Sequence, residues 1–499
     1  MCGEINHARY TGVKMTDLLV ANNLPATLDK IRAFMGNPAD LRILFAEEKE
    51  APAVLYQMGT IDEKELLARL DDFQKSFDQS TSVKRYFREK RALEIALADL
   101  NLGHAILIWQ QGRDYDIYNL PLPGWQLRAI EEPLSERMIR GPREGFTESI
   151  TANTAMIRRW IKDQNFLVEG MTVGVRTQTA VRLLYLADVA DPRLVAEVRD
   201  RIAAIEIDGI LESGYLEQLI TDNPMTIFSL IQSTERTDKV AAAVLEGRVA
   251  ILVDKSPFAL IVPATINEMY QSPEDYYFNY YLGSFLRFFR LFGNVMAVAL
   301  PGLYIALAYV NPELLPIKFL LSIANSRIGV PYPIYMEVLI LEVFEEIFRE
   351  AGLRLSGTIS QVLGTAIGLS LTFAAIQTHL VSGATLVISA VSAAALFSTP
   401  SYSIGVPWRI FKFGLMIGAT FLGVVGVILS GLLILAHAAT LTSFGVSYLA
   451  PWAPLQATEL IGDSVFRFPL WWRRQRPGAY KPVNRRRMSK SQPSARKNK

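Results

Sequence analysis

Along the first 290 residues, short apolar runs alternate with mixed polar and apolar stretches, the pattern of strands that lead into helices. AVLY at 53–56 precedes DEKELLARL at 62–70. In the same way VRLLYL at 181–186 precedes RLVAEVRDRI at 193–202, a helix that Asp191 caps and Pro192 opens. Tyr56 and Tyr185 hold corresponding places in the two stretches, which predicts a duplicated α/β unit. RVAILVD at 248–254, a Lys-Ser-Pro turn and FALIVP at 258–263 predict a buried hairpin.

From residue 291 the pattern changes to long apolar runs. A hydrocarbon core about 30 Å thick takes about 20 helical residues, and spans are predicted near 291–310, 359–381, 384–399 and 413–436. Arg287 and Arg290 flank the first, which places that end in the cytoplasm. The second and third are rich in Gly, Ala, Ser and Thr, residues that let helices approach closely in lipid, so both belong inside a bundle. Residues 336–352 form an apolar helix interrupted by Glu337, Glu342, Glu345, Glu346 and Glu350. Carboxylates are costly at a bilayer centre, which predicts an amphipathic helix at the outer interface or one buried against other subunits, with Arg349 pairing Glu342 or Glu345. Four spans follow if that helix is interfacial, the preferred count. Six follow if it crosses and residues 410–449 fold as a hairpin.

The fold class predicted is therefore an α+β/α membrane hybrid: a cytoplasmic amino-terminal region of two α/β subdomains followed by a polytopic α-helical membrane domain. The divisions are residues 1–135 and 136–275 for the subdomains, 276–456 for the membrane domain and 457–499 for a basic cytoplasmic tail. Composition agrees with a hybrid, because half of the 499 residues are hydrophobic while a fifth are charged. The net charge of +2 hides eleven cations and no acid after Trp472, a stretch predicted to be unstructured. A single cysteine, Cys2, gives no internal disulfide, and no basic and apolar leader opens the chain. There is no phosphate-cradling glycine loop, and His7, His104, His379 and His437 are not at metal spacing. No catalytic, cofactor-binding or metal-ligating residue is named, and neither an enzyme nor nucleic-acid binding is expected.

Six strings together resemble the GerA family of spore germination proteins, specifically the A subunit of a germinant receptor. They are RGPREGFTESI at 140–150, IEIDGILESGYLEQLITDNP at 205–224, TERTDKVAAAVLEGRVAILVDKSPFALIVP at 234–263, QSPEDYYFNYYLGSFLRFFR at 271–290, GVPYPIYMEVLILEVFEEIFREAGLRL at 329–355 and SFGVSYLAPWAP at 443–454. The resemblance implies a polytopic protein of the bacterial endospore inner membrane, its amino-terminal region and carboxyl-terminal tail cytoplasmic. It also implies a homo-oligomer that works with a transporter-like, nutrient-binding B subunit and a lipoprotein C subunit, and that turns nutrient sensing into ion release, as an ion channel. The sequence departs from the family pattern at Thr372-Phe373, Thr442 and Lys255, so ion choice is not carried across.

A pore needs mild dipoles on facing helices. Thr365, Ser370, Thr372, Gln377, Ser389 and Ser392 are the candidate pore-lining residues, with helix-to-helix hydrogen bonding as their other reading. Glu337, Glu342, Glu345 and Glu346 are the candidate acidic interface. A secondary transporter and a non-conducting membrane scaffold for the receptor are the alternative functions.

Overall fold

The computed structural model describes residues 23–45, 53–75, 89–90, 93–100, 103–111, 114–122, 132–133, 136, 138–354, 373–396, 399–400 and 402–488. Asn23 accepts from the Ala26 amide at 3.0 Å and starts helix α1, Leu24–Phe34. Strands β1, Leu41–Phe45, and β2, Ala53–Gln57, follow, then α2, Glu63–Lys75, β3, Glu89–Lys90, α3, Leu93–Leu100, β4, His104–Gln111, and β5, Asp114–Pro121. The next unit repeats this order with one added helix. It comprises α4, Ile150–Trp160, β6, Phe166–Val173, β7, Thr179–Leu186, α5, Pro192–Ala203, the extra α6, Ser213–Ile220, β8, Gln232–Thr234, α7, Thr237–Leu245, β9, Val249–Val253, and β10, Ala259–Val262.

The two sheets have the same topology, β1-β2-β4-β5-β3 and β6-β7-β9-β10-β8, with every neighbouring pair antiparallel. Tyr56 lies in β2 and Tyr185 in β7, the matching strands of that repeat. β9 and β10 form the hairpin read from residues 248–263, and Asp191 caps α5 through the Arg193 amide at 2.9 Å.

One buried ion pair joins the units: Arg158 of α4 donates to both carboxylate oxygens of Asp40 at 2.5 and 2.9 Å, with both side chains almost fully enclosed. Removing one partner of such a pair strands the other charge. Asp40→Ala is therefore expected to lower unfolding stability by about 3–5 kcal/mol, read as the denaturant midpoint of tryptophan fluorescence. A loss below about 1 kcal/mol would place the pair with solvent-exposed bridges.

Beyond the sheets come α8, Tyr280–Ile305, continued by a π-type turn over Ala306–Val310, then α9, Ile317–Ser326, α10, Ile334–Arg354, α11, Gly383–Leu396, and α12, Tyr402–Thr440. Among the described residues, Tyr280–Val310 and Gly405–Thr440 are long and apolar enough to cross a membrane.

The second of these is not one rod. Gly423 breaks it at φ 59°, ψ −137°. Trp408 and His437 both lie within 6.4 Å of the Phe228 ring, centroid to centroid, although a straight helix would put them about 44 Å apart. α12 therefore turns back on itself. The limbs touch backbone to backbone at Gly418 and Gly426, where a Cβ on Gly426 would overlap the Gly418 carbonyl. Asn311, just past α8, seals the turn by accepting from the Val424 amide at 3.0 Å.

Cross-helix contacts give the directions. Gly302 packs on the Leu415 backbone and Asn311 meets Val424, so α8 and the first limb of α12 run parallel. Tyr304 meets Thr385 and Ala297 meets Ser392, so α11 runs the opposite way. α10 runs with α11, because Glu337 reaches Thr385 and Glu342 reaches Ser389. The acidic helix thus stands inside this chain's own bundle, where the sequence predicts an interfacial position or burial against other subunits. Its carboxylates find cations on neighbouring helices, which offset the cost of burial.

The carboxyl-terminal segment departs from expectation in the same way. Residues 473–488 are packed, with Tyr480 buried and the Val483 amide donating to the Val189 carbonyl at 2.9 Å. The acids missing from this stretch come from elsewhere in the chain: Arg473 and Arg487 reach Glu246, and Arg473 also pairs with Asp463.

A charged ladder in the bundle and a knot at its base

Four inward carboxylates of α10 form a ladder. Glu337, fully enclosed, accepts from Arg327 at 2.9 Å, from the Ser382 amide at 2.9 Å and from the Thr385 hydroxyl at 3.0 Å. Tyr304 joins through Thr385 at 3.2 Å. About a turn and a half on, Glu342 pairs with Lys412, both without exposed side-chain surface. Glu345 stands beside them, 3.9 Å from the same ammonium, and the Ser389 hydroxyl donates to Glu345 at 2.8 Å. Below that, Glu346 pairs with Arg349 at 2.8 Å and with Arg409 at 3.0 Å.

The spacing explains the match. Glu342 and Glu346 are four residues apart on one helix, Arg409 and Lys412 three apart on another running antiparallel to it, so the two pairs face each other in register. Arg349 takes Glu346, where the sequence predicts Glu342 or Glu345 as its partner. Arg409 and Lys412 themselves escape the sequence reading, which begins the last span at residue 413 and leaves both as flanking charges. The signal was present: they are the only Lys or Arg in residues 402–440.

Of the six candidate pore residues, the structure brings one into this ladder and sets a second against α8. Ser389 bonds Glu345, and Ser392 donates to the Ala297 carbonyl at 2.8 Å. Both hydroxyls are buried between helices of one chain, the helix-to-helix role. Gln377 is exposed. Thr365, Ser370 and Thr372 lie outside the described residues.

A second charged cluster ties the bundle to the sheets. Asp275, fully buried, accepts from Arg287 at 3.1 Å and from Arg290. Arg287 also reaches Asp463 at 3.3 Å, and the Tyr276 hydroxyl donates to Asp463 at 2.8 Å. Burial, and then the Asp463 carboxylate, push that hydroxyl up to about 12, so it remains a donor at neutral pH. A cavity of about 330 Å³ opens beside the cluster, lined by Asn267, Glu268, Glu459, Asp463, Arg473 and Tyr480 among others. Among the described residues no group of three or more His, Cys, Asp or Glu is placed to hold a metal ion. The arrangement can hold the helices at a set register.

The sequence model of the family described as Bacillus/Clostridium GerA spore germination protein matches residues 42–479. Spore germination protein KA of Bacillus subtilis (strain 168) is 34% identical over 495 residues, which cover 96% of this chain and 90% of that protein. Spore germination protein B1 of the same organism is 42% identical over 350 residues, 70% of this chain and 72% of that one. The crystal structure of the N-terminal domain of the A subunit of the Bacillus megaterium spore germinant receptor GerK3 aligns with 50% of this chain and 97% of its own, at 32% identity and a TM-score of 0.36.

Proposed function

We propose, from the premise that this chain belongs to the Bacillus/Clostridium GerA family of spore germination proteins, that it is the A subunit of a nutrient germinant receptor. It works as a polytopic subunit of the endospore inner membrane, passing nutrient sensing to ion release in an oligomer with a nutrient-binding B subunit and a lipoprotein C subunit. The observation that carries this reading is the family match at residues 42–479, which spans both sheets, the helical bundle and the segment that returns to the sheets.

The membrane placement is supported by broad exposed apolar faces, including Phe285, Phe288 and Phe292 on α8 and Leu429, Leu432 and Leu433 on the second limb of α12. The fold-back of α12 and the passage of α10 through the bundle favour the six-span arrangement over four. An even number of spans also agrees with the return of residues 473–488 to the second sheet unit, since both ends of the bundle then lie on one side. Thr365, Ser370, Thr372 and Gln377 stand as proposed pore-lining residues. Ser389 and Ser392 transmit, since each hydroxyl is spent on another helix.

The test is ion flux from liposomes holding this chain alone and with the B and C subunits. Flux that needs the partners and rises with nutrient is expected. Loss of all partner dependence would favour a transporter, and absence of flux a non-conducting scaffold.

A further inference from the structure

The segment that packs beside the base of α8 after α12 carries a surface with no part in the ladder or the knot. Trp471 meets Tyr280, the first residue of α8, edge-on with centroids 6.1 Å apart, and Trp472 meets Phe468 in the same way at 5.5 Å. The two tryptophans are 57% and 63% exposed. Through Tyr280 they extend the exposed aromatic face of Tyr281, Phe285 and Phe288. Immediately after them the chain forms a small antiparallel ribbon. The Arg476 amide donates to the Arg485 carbonyl at 2.8 Å, the Arg487 amide to the Arg474 carbonyl at 2.9 Å, and Gln475 faces Arg486 between them.

Arg474, Arg485 and Arg486 are exposed on this ribbon. Of the acids nearby, Glu246 is held by Arg473 and Arg487, Asp463 by Arg473, and Asp188 acts on Arg476. Three exposed guanidinium groups therefore sit beside two exposed indoles at the end of an apolar helix. Indoles favour the boundary between hydrocarbon and water, where the ring is apolar and its N–H stays wet. Guanidinium groups at that depth match phosphate oxygens by paired hydrogen bonds.

We propose that the Trp471-Trp472 pair and the Arg474, Arg485 and Arg486 ribbon form a binding surface for anionic lipid headgroups in the leaflet that faces the sheet units. The surface anchors the returning segment to the bilayer, next to the knot where that segment also grips α8 through Asp463. It rests on the reading that α8 and α12 cross a membrane.

The test places the full-length protein in nanodiscs of phosphatidylcholine doped with brominated phosphatidylglycerol or with brominated phosphatidylcholine, and reads quenching of tryptophan emission. Brominated phosphatidylglycerol is expected to quench at least about twofold more, a preference that fades near 1 M salt as the charges are screened. R474Q/R485Q/R486Q should abolish the preference and keep the quenching by phosphatidylcholine. W471F/W472F should remove most quenching by either lipid. Because these side chains are exposed, both variants are expected to elute as the wild type does.

Equal quenching by the two lipids in the wild type, or a preference that survives in R474Q/R485Q/R486Q, overturns the proposal. So does quenching unchanged in W471F/W472F, which would turn the surface toward a protein partner, or loss of the preference on adding millimolar inorganic phosphate, which would mark a soluble-anion site. A chain that stays outside the discs overturns the membrane reading as well; one that enters without a preference overturns this proposal alone.

Discussion

Replacing Lys412 by methionine should destabilise the bundle by about 3–5 kcal/mol, the usual cost of leaving a buried partner charge alone. Lys412 and Glu342 have no exposed side-chain surface, and the same ammonium stands near Glu345. Methionine keeps the length and removes the charge, so packing is spared. Two carboxylates then share the Ser389 hydroxyl with no cation between them, and they must bind protons or draw water inward. Thermal stability of the detergent-solubilised protein, followed by size-exclusion chromatography, reads the effect. Lys412→Met combined with Glu342→Gln should recover much of the loss, because an amide carries no charge to strand. A Lys412→Met protein as stable as the wild type at neutral pH would show that Lys412 and Glu342 do not form a sealed ion pair.

The second large effect is expected at the fold-back of α12. Gly426→Leu puts side-chain atoms where the Gly418 carbonyl lies, and a backbone atom has no rotamer into which to retreat. Overpacking a tight core contact costs about 1–3 kcal/mol and more where the backbone must move; here it should push the limbs apart. Spin labels at Ile410 and Leu435, both exposed, report the separation once Cys2 is replaced by serine. A straight helix would hold these positions about 38 Å apart. The wild type should give well under half of that, and Gly426→Leu a longer, broader distribution. A wild-type distance near the straight-helix value would refute the fold-back itself.

Both effects show which features were legible in the sequence. The β9–β10 hairpin and the capped α5 follow from short-range chemistry: a run of apolar residues, a proline, an aspartate before a helix. The acidic residues of α10 were equally plain. Their partners were not, because Lys412 lies 70 residues from Glu342 and reads as the positive flank of a span. The fold-back was open in the same way. A stretch of 36 apolar helical residues would reach about 54 Å if straight, well beyond a hydrocarbon core of about 30 Å, so length alone calls for a break. Many glycines run along it, and only the meeting of Gly418 with Gly426 selects Gly423 as the turn.

The basic end of the chain was misread for a related reason. Eleven cations without an acid look self-repelling when only neighbours in sequence are counted. Glu246 is more than 220 residues from Arg473 and Asp463 is ten, and together they pair two cations, Arg473 and Arg487, of the part that packs. Charge balance in a folded chain is a property of what meets in space.

The sequence by itself determined the order of parts, two strand-and-helix units and then apolar helices, because periodicity and local capping act over a few residues. The tertiary structure alone decided that the acidic helix lies within the bundle, that α12 doubles back, and that the basic segment returns to the second sheet. Each of those outcomes depends on pairing groups tens to hundreds of residues apart, where burial makes an unpaired charge costly and a paired one tolerable.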